Sequence, residues 1–160
     1  MLDLFGGGDP HHRVTAGGAV MEKKKILVVD DEPWVCEMLK EFLESRGYPV
    51  LTALSGQEAL AAVQEERPDL ILLDILMPGM NGLEALQRIR EIDPTAGVIM
   101  LTGLQDEEVA RQAMQQEAYD YLTKPVDFDY LELTILAKLA RRGESLAGHP
   151  GARSAGKNRA

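Results

Sequence analysis

Leu70-Ile71-Leu72-Leu73-Asp74 is the segment that decides the fold of this chain. Its apolar residues run without a polar break, which is typical of a strand buried on both faces in a parallel sheet covered by helices. A loop is predicted after it, because Pro78, Gly79 and Gly82 suit neither a strand nor a helix interior. Ligands bind beyond the carboxyl ends of such strands, so Asp74 is expected to face a binding crevice. Taken alone, Asp74 would be interpreted as a residue that ends the strand without a function, since aspartate is common in loops.

Further apolar segments are predicted to be strands at residues 26–29, 50–53, 98–101 and 119–122, and a helix with an apolar face is predicted after each strand. The strict alternation of strand and helix indicates the α/β class. We therefore predict a doubly wound (βα)5 fold, an open parallel sheet with right-handed crossovers and helices on both faces.

Two of the predicted helices have clear start signals. Pro33 suits the first turn of the first helix, and Ser55 with Glu58 forms a capping box for the second. The last helix is predicted at about 127–142. From the helical spacing of its apolar residues we expect four of them to face the core, namely Leu131, Ile135, Leu136 and Leu139.

Length and composition favour one soluble domain. The chain has 160 residues, of which 45% are hydrophobic and 27% charged. We expect a flexible N-terminal tail over 1–22, a domain over 23–142 and a flexible C-terminal tail over 143–160. The single cysteine, Cys36, and the lack of a membrane-spanning apolar run favour a reducing, cytoplasmic location, with Cys36 as a helix residue and not a nucleophile.

The formal net charge is −9, and because the two flanking segments, 1–20 and 143–160, carry −1 and +2, residues 21–142 carry −10. An acidic domain repels nucleic-acid phosphates. Direct nucleic-acid binding by this domain is therefore not expected.

Polar side chains follow four of the predicted strands and are expected to converge, because the carboxyl ends of parallel strands share one edge. They are Asp30 and Asp31, Asp74, Thr102 and Lys124. Carboxylates crowded together favour a divalent cation, and ligands that are all oxygen favour Mg²⁺. A carboxylate beside Mg²⁺, a lysine and a hydroxyl is equipped to become an acyl phosphate.

At these positions the sequence resembles the receiver domain of bacterial two-component response regulators. The resemblance covers about residues 23–142, and the matching motifs are Ile26–Glu32, Asp74 with Met77–Gly82, Leu101–Gly103 and Asp120–Pro125. It implies the flavodoxin-like strand order 2-1-3-4-5.

The resemblance also implies a role for each matching residue. Asp74 would be the phosphoacceptor, and Lys124 would hold the phosphoryl group. Asp31 would bind Mg²⁺ directly and Asp30 through water. Asp74 itself and the backbone carbonyl of Leu76 would complete the metal ligands. Thr102 would then move to bond the phosphoryl group and Tyr121 would swing inward, while the Lys124–Pro125 peptide would be cis.

The resemblance implies partners as well. The phosphoryl group would come from a sensor histidine kinase or a phosphotransfer protein. The fourth helix, fifth strand and fifth helix would form the face that contacts a downstream protein target. The chain would be a monomer or a phosphorylation-dependent dimer, with no nucleic acid or membrane as a direct partner. In receivers the side chains that tune phosphate loss lie two residues after the phosphoacceptor and two residues after the threonine. In this chain these residues are Leu76 and Leu104. Because both are apolar, we expect slow self-dephosphorylation.

Three other interpretations are weaker. An acyl-phosphate hydrolase needs a second acid two residues after the nucleophile, and Leu76 stands there. A flavin carrier of the same architecture would be repelled by the acids at 30–32. A degenerate receiver that only binds would not retain the complete polar set. We therefore expect a phosphorylatable switch and not a turnover enzyme.

Overall fold

The computed structural model describes residues 13–16, 19–22, 24–103, 107–116, 118 and 120–142. Its main sheet has the strands β1 Ile26–Val29, β2 Val50–Ala53, β3 Leu70–Asp74, β4 Gly97–Thr102 and β5 Asp120–Thr123. The helices are α1 Pro33–Ser45, α2 Gly56–Glu66, α3 Gly82–Ile92, α4 Glu107–Gln115 and α5 Phe128–Arg142. The predicted alternation of strands and helices is confirmed, with the last two strands displaced or extended by one residue.

The strands pair in the order β2-β1-β3-β4-β5, and every neighbouring pair is parallel. This is the predicted order 2-1-3-4-5. β3 lies in the middle of the sheet, where Leu70 is in register with Ile26 on one side and with Gly97 on the other. Every residue of β3 is buried, as its unbroken apolar run predicts.

The sheet divides the core into two layers because successive side chains of a strand point to opposite faces. Ile71 and Leu73 of β3 pack on one face against buried residues of α2, α3 and α4. Leu70 and Leu72 pack on the other face against buried residues of α1 and α5. Both faces are covered, so the strand ends are the part of the sheet left open to a ligand.

The helix starts follow the local signals in the sequence. Pro33 is the first residue of α1. Ser55 Oγ accepts from the Glu58 amide at 3.1 Å, as the predicted capping box requires, but Glu58 Oε1 accepts from the Leu54 amide at 2.8 Å, one residue before the usual partner. Asn81 Oδ1 caps α3 by accepting from the Glu84 amide at 2.9 Å. None of the helices in the described ranges is long and apolar enough to cross a membrane.

The inward face of α5 differs from the prediction at one residue. Leu131, Ile135 and Leu139 are buried as expected, but Leu136 is 51% exposed, and the prediction for it was wrong. Consecutive helix residues point about 100° apart, so with Ile135 at the centre of the buried face Leu136 turns toward the edge. A helix packed on one side of a sheet buries only a narrow stripe.

Part of the N-terminal segment, which we expected to be a flexible tail, forms a two-stranded antiparallel sheet of Arg13–Ala16 and Ala19–Glu22. Ala16 is in register with Ala19, so Gly17 and Gly18 separate the strands in the sequence, and a Gly-Gly pair is a strong hairpin signal that our interpretation of the tail overlooked. The remainder of 1–22 and all of 143–160 lie outside the described residues, so the predicted flexibility of both tails stays a prediction.

Candidate functional site

The polar residues predicted to converge lie together at the carboxyl edge of the sheet. Asp74 is the last residue of β3 and Thr102 the last of β4. Asp30 follows β1 directly, and Lys124 follows β5 directly. The parallel register brings the residues to one edge, although they come from four separate parts of the chain.

Three carboxylates lie close together at this edge of the sheet. One oxygen from each of Asp30, Asp31 and Asp74 lies within 4.8 Å of the others. Asp30 is fully buried and Asp74 is 5% exposed, so little water separates the charges. Asp30 Oδ1 also accepts from the Glu32 amide at 2.9 Å, which fixes the orientation of that carboxylate at the start of α1.

Lys124 joins two of the three acids. Its Nζ donates to Asp30 Oδ2 at 3.0 Å and to Asp74 Oδ1 at 3.1 Å. Burial by itself would lower the pKa of Lys124, but the hydrogen bonds and charges of Asp30 and Asp74 outweigh it, and the pKa is raised. The lysine therefore stays an ammonium and neutralises one of the crowded carboxylates.

The surroundings of Asp74 also change the pKa of its carboxyl group. Burial and then the negative charge of Asp30 raise the pKa of Asp74 to about 6, against the opposing effect of Lys124. The value is about two units above the ordinary pKa of an aspartate. Lys124 therefore does not outweigh burial and the charge of Asp30, which together favour the protonated form of Asp74.

The donor set suits a hard divalent cation. Asp30, Asp31 and Asp74 supply only oxygen ligands, and Mg²⁺ binds through one or two carboxylates while it keeps several waters. Two positive charges would favour the ionised form of Asp74, which burial and the charge of Asp30 disfavour. The residues present therefore fit Mg²⁺, and Asp31 is the one of the three that is only partly buried.

The residues predicted to act in switching lie on β4 and β5. Thr102 is 2% exposed, and its hydroxyl donates to the backbone carbonyl of Gly103 at 3.2 Å. Tyr121 is partly buried in β5 and packs against the core layer that includes α4. The Lys124–Pro125 peptide is cis, as the resemblance implied.

Of the two residues predicted to tune phosphate loss, the structure describes one. Leu76 is 62% exposed and lies two residues after Asp74 in the loop that follows the strand. Leu104 lies outside the described residues.

Cys36 is a neighbour of the site that the sequence did not identify as one. It lies in α1, as predicted, and its thiol donates to the Asp30 carbonyl at 3.5 Å. Burial, followed by the charge of Asp30, raises the pKa of Cys36 to about 11, so the thiol stays neutral and unreactive. A small residue one turn after the acids was the signal available in the sequence.

The chain is similar to known proteins over most of its length. The family model described as the response regulator receiver domain matches residues 26–136. Protein PilH of Pseudomonas aeruginosa is 39% identical over 117 residues, which are 72% of this chain and 97% of PilH. Transcriptional regulatory protein ZraR of Salmonella typhimurium is 40% identical over 130 residues, which are 81% of this chain but 30% of ZraR. The chain thus spans less than a third of the length of that relative.

Solved structures show the same similarity. A response regulator receiver domain protein from Clostridium thermocellum superimposes with a TM-score of 0.72 at 38% identity, covering 74% of this chain and 96% of that one. A CheY-like receiver domain protein from Methanospirillum hungatei JF-1 gives a TM-score of 0.72 at 34% identity, covering 75% and 96%.

Proposed function

This chain belongs to the response regulator receiver domain family, and from that premise we propose that it is a phosphoacceptor switch of a two-component or phosphorelay system, with Asp74 as the acceptor. The observation that carries the proposal is the double hydrogen bond of Lys124 Nζ to Asp30 and Asp74. It presents an ammonium where a phosphoryl group on Asp74 would place new negative charge. Sequence relatives named as transcriptional regulatory proteins support a switch and not a turnover enzyme.

In the proposed reaction a carboxylate oxygen of Asp74 attacks the phosphorus of a phosphohistidine on a sensor histidine kinase or phosphotransfer protein. An O–P bond forms, the P–N bond breaks, and the imidazole leaves and takes up a proton. The acceptor must be ionised to attack, so its raised pKa is a barrier until the local negative charge is balanced. Lys124 provides part of that balance and would follow the transferred oxygens as they acquire charge.

Mg²⁺ would supply the rest of the positive charge that the transferring phosphoryl group needs. We propose that Asp31 binds it directly and Asp30 through a water. Asp74 and the backbone carbonyl of Leu76 would be the other protein ligands. The clustering of the three carboxylates supports this ligand set.

The signal would leave through the face formed by α4, β5 and α5. Thr102 would bond the phosphoryl group and Tyr121 would move inward, which would change that face. Three apolar side chains on the outer side of α5 support a contact surface there. Tyr130 is 36% exposed, Leu133 64% and Leu136 51%. The partner would be a downstream protein or a second, phosphorylated copy of this chain.

The site and the composition bear on the lifetime of the phosphorylated state, on nucleic-acid binding and on the location of the protein. An exposed leucine at position 76 cannot orient a water against a phosphoaspartate, so we propose slow self-dephosphorylation. The charge of −10 over residues 21–142 argues against direct nucleic-acid binding by this domain. A cytoplasmic location is proposed because cytoplasmic kinases and phosphotransfer proteins would have to reach Asp74.

The test is phosphorylation in vitro. Incubation with Mg²⁺ and a small acyl phosphate should add one phosphoryl group to the wild type, seen by mass spectrometry of the intact protein. Asp74→Asn should add none. Asp69→Asn is the matched control, because Asp69 immediately precedes β3 and so lies beyond the opposite end of that strand. Equal labelling of wild type and Asp74→Asn would refute the assignment of the acceptor.

A further inference from the structure

Gly82, the first residue of α3, lies directly against the backbone of the proposed acceptor. A Cβ atom built on Gly82 would lie 2.5 Å from the Asp74 carbonyl oxygen and 2.7 Å from Ile75 Cα. Both distances are far shorter than carbon side-chain atoms tolerate, and both obstacles are backbone atoms that cannot rotate away. The Gly82 amide donates to the Ile75 carbonyl at 2.8 Å. Any side chain at position 82 would therefore push α3 and the strand end apart.

This contact closes the loop that carries the acceptor. The loop 75–81 leaves the sheet at Asp74 and returns to it at Gly82, so one hydrogen bond and one backbone contact join its two ends. The proposed carbonyl ligand at Leu76 lies inside the closed loop, one residue beyond the contact. The distance between the ends of the loop therefore sets where the Asp74 carboxylate and the Leu76 carbonyl stand relative to Asp30 and Asp31.

We propose that Gly82 is a positioning residue for the acceptor and its metal ligands. Its missing side chain allows α3 to seat on the Asp74 backbone. The proposal rests on the proposed function, because it concerns the same acceptor and the same cation. Gly82 differs from the proposed acceptor and metal ligands, because it has no side chain and binds neither phosphate nor metal.

The other described glycines of this region show that the requirement is specific. A Cβ atom on Gly56 would meet Met80 Sδ at 2.8 Å and Met80 Cβ and Cγ at 3.0 Å, so the obstacle is a side chain and not the backbone. Gly79 has a φ of +78°, where only glycine is comfortable, but a Cβ atom there would meet nothing within 4 Å. Gly82 has no positive φ, and alanine is intrinsically the better helix former. Loss of function in Gly82→Ala would therefore come from the contact and not from helix propensity.

The experiment compares Gly82→Ala with Gly56→Ala in the full chain. Mg²⁺ affinity is measured by the fluorescence of Trp34, which is the one tryptophan of the chain and follows Asp31 by three residues. Phosphorylation by a small acyl phosphate is measured by mass spectrometry. We expect Gly82→Ala to raise the Kd for Mg²⁺ and to lower the phosphorylation rate, each by roughly tenfold or more. Gly56→Ala should stay within about twofold of wild type.

Asn81→Ala separates positioning from general loss of stability. It removes the cap of α3 but leaves the contact at Gly82 in place. We expect it to lower the melting temperature while the Mg²⁺ affinity of the folded protein stays within about twofold of wild type. An equal loss of Mg²⁺ affinity in Asn81→Ala would overturn the proposal.

The remaining outcomes also decide the matter. A Gly82→Ala protein with wild-type affinity and rate overturns this inference and leaves the proposed function intact. A Gly82→Ala chain that is unfolded at room temperature also overturns it, because the contact would then serve the whole fold. A wild type that neither binds Mg²⁺ nor accepts phosphate refutes the proposed function itself.

Discussion

Lys124 Nζ donates to Asp74 Oδ1 at 3.1 Å, although the two residues are 50 positions apart in the sequence. The same ammonium donates to Asp30 Oδ2 at 3.0 Å, so a single cation joins the ends of β1, β3 and β5. It does not outweigh the effects of burial and of the Asp30 charge, because the pKa of Asp74 is still raised to about 6. The chemistry of the site therefore depends on how the remaining charge is balanced.

Replacing the lysine should raise the pKa of Asp74 further. In Lys124→Gln the carboxylate loses an opposite charge at hydrogen-bond distance, which we expect to add on the order of one unit to its pKa. Phosphorylation should slow by roughly tenfold or more. The pKa is measured by NMR of the side-chain carboxyl carbon, and Lys24→Gln, on the exposed residue next to β1, is the control. An unchanged pKa in Lys124→Gln would show that the contact carries little energy.

The stability of the Mg²⁺-free protein should depend on pH through Asp74. The pKa of this group is raised from its ordinary 3.8 to about 6 in the fold, so the folded state holds the proton more tightly than the unfolded chain does. The resulting stabilisation is complete below about pH 4 and is lost as the pH rises through 6. The loss is about 3 kcal/mol, because a pKa difference of one between the folded and unfolded states corresponds to about 1.4 kcal/mol.

Asp74→Asn cannot lose this proton. We therefore expect the variant to be about as stable as wild type near pH 4 and more stable by about 3 kcal/mol at pH 7, measured by urea unfolding without Mg²⁺. Saturating Mg²⁺ should remove most of the difference by stabilising the ionised wild type. A difference that stays constant between pH 4 and pH 7 would contradict the raised pKa.

Thr102→Ala should separate phosphorylation from signalling. The hydroxyl of Thr102 donates to the Gly103 carbonyl and is not bonded to Asp74 among the described residues, so its loss should leave phosphate acceptance within about threefold. The response of the α4, β5 and α5 face should disappear, because the proposed link from the phosphoryl group to Tyr121 is gone. The readout is the change in the Tyr121 amide signal on phosphorylation by NMR, with Thr95→Ala as a control remote from the site. A wild-type change in Thr102→Ala would exclude this link.

The lifetime of the phosphorylated state should respond to Leu76. A polar side chain there can orient the attacking water, so Leu76→Asn is expected to speed phosphate loss by roughly threefold to tenfold, or about 1 kcal/mol of barrier. Leu104→Glu is expected to act in the same direction. The measurement is a time course of phosphate loss from the purified, Mg²⁺-bound protein. Leu76→Ala distinguishes orientation of the water from crowding of the water, since it opens space without adding a polar group. A Leu76→Asn, Leu104→Glu double variant that loses phosphate no faster than wild type would contradict the proposal.

The exposed side of α5 should be needed for contact with a partner. Leu133 and Leu136 are 64% and 51% exposed, so a glutamate at either position costs little in the monomer but opposes burial in a complex. We expect the phosphorylated wild type to form a dimer, and Leu133→Glu or Leu136→Glu to weaken it by roughly tenfold. Sedimentation equilibrium measures the association, and Met38→Glu on α1 is the control. A phosphorylated wild type that stays monomeric would contradict self-association through this face.

Local sequence determined much of this protein. The unbroken apolar run at 70–73 predicted a central strand, and strict alternation with amphipathic helices predicted a parallel sheet covered on both faces. Acids at 30, 31 and 74 then had to meet at one edge, because parallel strands share their carboxyl ends. These features could be predicted because hydrophobic period and helix caps are properties of neighbouring residues.

Tertiary structure decided what depends on the rotation of a helix or on a distant partner. Leu136 faces outward, because the sheet and not the helix sets which stripe of α5 is buried. Lys124 joins Asp30 and Asp74 only because the ends of β1, β3 and β5 lie within reach of one side chain. The close contact of Gly82 with the Asp74 backbone likewise could not be predicted from neighbouring residues, which show only a glycine after a loop. Such contacts form between segments far apart in the chain, so their distances exist only once the whole sheet has assembled.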